Sequence, residues 1–181
     1  FHGSDAGVVE QADMFASIAE EFGGFDIAAT STLEERNKLW QARHDMYWAS
    51  LQLRPGAKGI STDVCVPISR LAECVGTARR KAEEMGLLAP MVGHVGDGNF
   101  HALLLIDMDS SEERAKAETY VGWLNEMAIA MEGTCTGEHG IGQGKRPYLQ
   151  QELGETTRYM AAIKAALDPE NILNPGKILE M

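Results

Sequence analysis

Apolar residues recur at helical spacing from the start of the chain. Val8, Ala12, Phe15, Ile18, Ala19 and Phe22 share one stripe, which predicts an amphipathic helix over residues 6–22 that Gly23-Gly24 ends. The short apolar run FDIAAT, residues 25–30, predicts a strand, and Ser31 or Thr32 is placed to cap a helix through LEERNKLWQARHDMYWAS. In GISTDVCVP, Ile60, Thr62, Val64 and Val66 alternate with Ser61, Asp63 and Cys65, the period of a strand. A helix follows over residues 69–86. LAPMVGHV and NFHALLLID then read as two strands around a Gly-Asp-Gly turn. Ser110 and Glu113 form a capping box ahead of a helix that lines up Ala117, Tyr120, Val121, Leu124, Met127 and Met131. EGTCTGEHGIGQGKR is glycine-rich and shows no period. Short helices run to about residue 167, and DPENILNPGKILEM closes as turn and tail.

This order predicts an α+β domain, a largely antiparallel sheet with helices packed on one face. The 181 residues suit one domain with one core. Phe1 reads as the end of a strand whose beginning lies earlier, so the chain is expected to be a piece of a longer protein. The formal net charge of -11 argues against nucleic acid or an anionic membrane as partner of this segment. Cys65, Cys74 and Cys135 are odd in number and widely spaced, as expected of core thiols in a reducing compartment. Cys135 stands nearest the glycine-rich segment.

Two of the five histidines flank the turn in GHVGDGNFH. A two-residue type I′ turn centred on Asp97-Gly98 would set His94 directly across from His101, with both rings on one side of the sheet and Cβ atoms ~5 Å apart. Two nitrogen ligands would then reach one divalent ion, although two stacked polar rings on a solvent face are the plainer reading of the hairpin alone. TGEHGIGQGKR, residues 136–146, adds Glu138 and His139 among glycines that allow close backbone approach. Glu138 can complete a His-His-Glu set, and His139, projecting elsewhere, can serve as general base. A surface loop with an incidental Glu-His pair is the alternative. Arg43 and Tyr47 lie one helical turn apart, and Lys58 follows in a Pro-Gly loop; an arginine there can grip a carboxylate with two parallel hydrogen bonds.

GHVGDGNFHALLLID, GTCTGEHGIGQGKRPYL and ALDPENILNPGKI together resemble the C-terminal domain of FAD-linked 2-hydroxyacid dehydrogenases, within the vanillyl-alcohol-oxidase-type flavoproteins. The likeness covers almost the whole chain and is greatest to D-lactate dehydrogenases that pass electrons to a cytochrome or quinone. Glycolate oxidase flavin subunits and D-2-hydroxyglutarate dehydrogenases are relatives. The resemblance implies that residues 1–181 are a substrate-binding, or cap, domain, with an FAD-binding domain N-terminal to it, and that the piece alone is inactive. It implies His94, His101 and Glu138 as ligands of zinc or manganese, His139 as catalytic base, and Arg43 and Lys58 as partners of the substrate carboxylate. Tyr47 would face substrate, and Asn174 would lie where the tail returns toward the flavin. Hydroxyglutarate-specific members carry a polar residue at the position of Leu103, and an apolar wall there favours a lactate-like substrate.

The resemblance also implies a cytochrome, quinone or flavoprotein electron acceptor, a possible homodimer, and an intracellular location, cytoplasmic or membrane-peripheral, organellar in a eukaryote. Three other readings compete. One is a flavin transferase like alkylglycerone-phosphate synthase, for which only Lys145 and Arg146 offer a basic site. The others are a stand-alone metal-dependent hydrolase on the same ligands and a non-catalytic α+β binding module.

Overall fold

The computed structural model describes residues 1–27, 29–30 and 32–180. The chain divides into two units, Phe1–Met46 and Tyr47–Met181. The first holds α1 (Asp5–Glu21) and most of α2 (Leu33–Leu51). Ser4 caps α1 by accepting from the Gly7 N–H. Thr32 caps α2, its Oγ1 accepting from the Glu35 N–H at 3.3 Å and donating to the Glu35 carboxylate at 2.8 Å. The Ser31 alternative lies outside the described residues. The strand expected over residues 25–30 is absent from the described part of that stretch, and Ala28 lies outside it. Phe25 there is 85% exposed.

The second unit is the α+β body. Its sheet is antiparallel throughout: β4 (Asn99–Ile106) lies at the centre, with β1 (Lys58–Ser61) and β2 (Val64–Cys65) along one edge and β3 (Met91–His94) along the other. The expected strand at residues 59–67 is thus two strands. Their registers on β4 continue one another across Thr62-Asp63, which sets Asp63 opposite His101. Every residue of β4 is buried. Phe100, Ala102, Leu104 and Ile106 point into the core against α3 (Ile68–Glu84) and α4 (Ser111–Ala130), where Cys74, Ala78, Ala117, Tyr120 and Leu124 complete the packing. The alternate residues His101, Leu103 and Leu105 face the other way. Beyond α4 come α5 (Arg146–Leu153), started by Pro147, and α6 (Thr156–Leu167).

The capping box at α4 is half formed. Ser110 accepts from the Glu113 N–H, but the Glu113 carboxylate turns to Arg54, which donates two bonds at 2.7 and 2.9 Å, and to the Asp107 N–H. Those bonds, Arg54 first, hold the Glu113 carboxyl at about 2. A carboxyl depressed on folding stabilises above its unfolded value of about 4.3, and that contribution is lost as pH falls through the folded value. Glu113→Gln is therefore expected to melt below the wild type at neutral pH. Thermal denaturation across pH should show the gap closing as acidity approaches about 2.

Candidate metal centre

The turn between β3 and β4 differs from the expected two-residue hairpin. Val95–Asp97 form a 3-10 turn and Gly98 alone takes positive φ, at 77°. Two bonds from the opposite edge hold this wider turn: Val66 N–H donates to the Gly98 carbonyl at 3.0 Å, and the Cys65 thiol donates to the Asp97 carbonyl at 3.2 Å. In the resulting register His94 pairs with Asn99 and His101 with Val92. The two histidines are diagonal neighbours rather than directly opposed. Side chains alternate with period 2, so this slip keeps both on one face. Their ring centroids lie 6.2 Å apart.

The glycine-rich segment brings Glu138 to the same place. Its Oε1 lies 3.0 Å from His101 Nε2 and 3.5 Å from His94 Nε2. A tetrahedral ion with bonds near 2.0–2.1 Å sets its ligands ~3.3 Å apart, between these two values. The His101 Nδ1 is 2.9 Å from the Thr62 carbonyl, which can only accept. The proton of that bond therefore sits on Nδ1, and in the neutral ring the Nε2 lone pair points at a carboxylate oxygen. Two electron-rich atoms then face each other at 3.0 Å, an arrangement that a shared cation would bridge. A backbone carbonyl fixing the tautomer of a ligating histidine is a common support of such sites. The donor set, two imidazoles and a carboxylate, suits zinc or manganese.

His139 departs from its expected place. Its ring stacks on His101 at 4.9 Å and 7°, and its Nε2 is 3.7 Å from Glu138 Oε1. It joins the cluster and stays half-exposed. A second candidate ligand group, Asp63, His101 and His139, overlaps the first.

The structure adds residues that the sequence pattern did not single out. Asp63 is buried against the Asn99 amide, the Thr136 hydroxyl, the Lys145 ammonium and the N–H groups of residues 137–139. Burial alone would push its carboxyl up. The His139 N–H, Asn99, Thr136 and Lys145 outweigh that and hold it well below the ordinary carboxylate range. Lys145 also donates to the Asp63 carbonyl at 2.6 Å, and burial lowers its own pKa despite the nearby carboxylate. The one visible signal for Asp63 was a charged residue inside an otherwise alternating strand.

Tyr47 and Leu103 close over Gly59, where a Cβ would fall 2.8 Å from Leu103 Cδ1 and 3.1 Å from Tyr47 Cε2. Leu103 shares the face of His101, so the apolar wall stands one residue pair along from the histidines. Lys58 is not brought to them. It pairs with Ile106 and so belongs to the face of Ile60 and Leu104, opposite that of His101. Arg43 belongs to the first unit, exposed, with its guanidinium 5.9 Å over the Trp40 ring. Asn174 takes positive φ, at 48°, in a tail whose Ile178 N–H donates to the Gly142 carbonyl at 2.7 Å. The three cysteines are free, and Cys74 and Cys135 are buried. Burial raises both thiols to about 11, which makes Cys135 a core residue rather than a nucleophile.

This α+β domain sets two histidines of a β-hairpin against a Glu-His loop, a group of side chains that could hold a metal ion. The chain belongs to the family of FAD linked oxidases, C-terminal domain, whose model matches residues 1–178. It is 45% identical over 182 residues to the "Probable D-lactate dehydrogenase, mitochondrial" of Danio rerio, covering 100% of this chain and 37% of that protein. It is 40% identical over 180 residues to the "D-lactate dehydrogenase [cytochrome], mitochondrial" of Arabidopsis thaliana, covering 99% and 32%. To the "Glycolate oxidase subunit GlcD" of Bacillus subtilis (strain 168) it is 36% identical over 163 residues, covering 90% and 34%. The chain thus spans about a third of the length of these relatives. Among solved structures, 4-ethylphenol oxidase from Gulosibacter chungangensis shares the fold, with a TM-score of 0.58 and 19% identity over 82% of this chain and 31% of that one. No helix among the described residues is long and apolar enough to cross a membrane.

Proposed function

We propose that this chain is the substrate- and metal-binding domain of an FAD-dependent dehydrogenase that oxidises a D-2-hydroxyacid, D-lactate or a close analogue, to the 2-oxoacid. The observation that carries the reading is the convergence of His94 Nε2, His101 Nε2 and Glu138 Oε1, in a member of an FAD-linked family. When bound, the divalent ion supplies Lewis acidity toward the substrate hydroxyl and the flavin accepts the hydride. His94, His101 and Glu138 hold the ion. His139 Nε2 takes the hydroxyl proton and passes it to water through its exposed edge. Leu103 and Tyr47 limit the substrate side chain to a short or aliphatic group.

The N–H groups of residues 137–139 are engaged by Asp63, so these three are not available to cradle a pyrophosphate. The reading therefore assigns the flavin mainly to a domain outside residues 1–181, with Asn174 on the flavin-facing tail. A cytochrome acceptor and an organellar location follow the relatives' names. The test is anaerobic addition of D-lactate to the full-length yellow protein. Loss of flavin absorbance is expected with D-lactate and not with L-lactate. A flavin left oxidised by D-lactate, glycolate and D-2-hydroxyglutarate alike overturns the reading.

A further inference from the structure

The chemistry at Glu138 and His139 depends on a loop without regular structure, and such loops are often ordered only by the ion they bind. Here the loop has a second anchor. Asp63, its side chain 1% exposed, accepts at Oδ2 from the N–H of Gly137 at 2.9 Å, Glu138 at 3.2 Å and His139 at 3.0 Å, and from Thr136 Oγ1 at 2.9 Å. Successive N–H groups converging on one oxygen form an anion nest. Nests of this kind commonly receive an external phosphate; this one is filled from within by a residue of the β1–β2 link, 74 positions earlier in the chain.

The carboxylate is itself held from other sides. Asn99 Nδ2 bridges Asp63 Oδ1 and the Val64 carbonyl, both at 2.9 Å, and Lys145 secures the Asp63 carbonyl. Gly137 lies so close that a Cβ would fall 1.9 Å from Asn99 Nδ2, so the loop can dock here only with glycine at that position. The neighbouring Thr62 carbonyl orients His101. One dipeptide, Thr62-Asp63, thus aims a ligand from the hairpin and a ligand from the loop.

We propose that Asp63 is a positioning residue that pre-assembles the metal centre, holding residues 136–139 in their ligating arrangement before any ion arrives. Metal capture then requires no loop folding. This rests on the reading of His94, His101 and Glu138 as metal ligands.

The experiment uses the full-length protein stripped by a chelator. Amide exchange at residues 137–139 is measured without and with Co²⁺, and Co²⁺ affinity is read from its visible absorption. Stripped wild type is expected to protect these amides as well as the Co²⁺-loaded form does. Asp63→Asn is expected to lose that protection and to bind Co²⁺ about 10–100-fold more weakly. Where Asp63→Asn does not fold, Thr136→Val removes a single bond to the carboxylate and is expected to weaken Co²⁺ binding about tenfold, with Thr136→Ser restoring it. Protection that appears only with Co²⁺, or Asp63→Asn and Thr136→Val proteins that bind Co²⁺ like the wild type, overturns the proposal. A wild type that takes up no Co²⁺ instead overturns the metal reading, and capture with it; exchange in the variants then still decides whether Asp63 orders the loop.

Discussion

Glu138→Ala in the full-length protein is expected to keep its flavin, lose stoichiometric metal, and turn over D-lactate about 10²–10³-fold more slowly, the several kcal/mol a Lewis acid contributes at tenfold per 1.36 kcal/mol. Glu138 Oε1 is the only anionic atom within reach of both His94 Nε2 and His101 Nε2 in that ligand group. Without it, two neutral imidazoles must hold a dication alone. The fold should survive. The Glu138 side chain is half exposed, and the backbone N–H that ties residue 138 to Asp63 remains. Glu138→Gln keeps the shape and removes the charge, so it should resemble the alanine variant. Elemental analysis beside steady-state kinetics decides the matter. A variant with one metal per chain and wild-type turnover would mean that Glu138 is not a ligand.

Why the histidines were legible in the sequence and their pairing was not has a physical explanation. The faces of β3 and β4 follow from strand parity alone, because side chains along a strand alternate between its two faces. The register follows from the turn, and the turn is set by Val66 and Cys65 on the far side of β4, which no local pattern around Asp97-Gly98 encodes. Glycine richness at residues 136–146 signalled close approach correctly. What it approaches is Asp63, and the antiparallel bridge between Cys65 and Thr134 brings the two segments together. The same parity puts Lys58, at the exposed start of β1, on the face of Ile60 and not on that of His101. Helices α1 and α4 were readable because caps and apolar stripes are local. The strand expected at residues 25–30 does not appear among the described residues of that stretch; a strand needs a partner, and apolar content does not supply one. Lys145, one of the two basic residues on offer to a phosphate, is committed to Asp63, which weakens the transferase alternative.

His139→Ala separates base from ligand. It is expected to retain metal and flavin and to lose about 10²–10⁴-fold in turnover, the usual range for a positioned general base. The backbone at residue 139 is held by Asp63 through its N–H, so the loop and Glu138 should stay in place when the ring is removed. The ring lies flat on His101 and is half exposed, so its loss leaves a gap open to solvent beside the ligands. Added imidazole should enter that gap and restore part of the activity, which a structural role for His139 would not allow. Loss of metal together with activity would point to the overlapping Asp63, His101 and His139 group as the true ligand set. Turnover within a few-fold of wild type, with metal intact, would remove His139 from the chemistry and leave the proton to another acceptor.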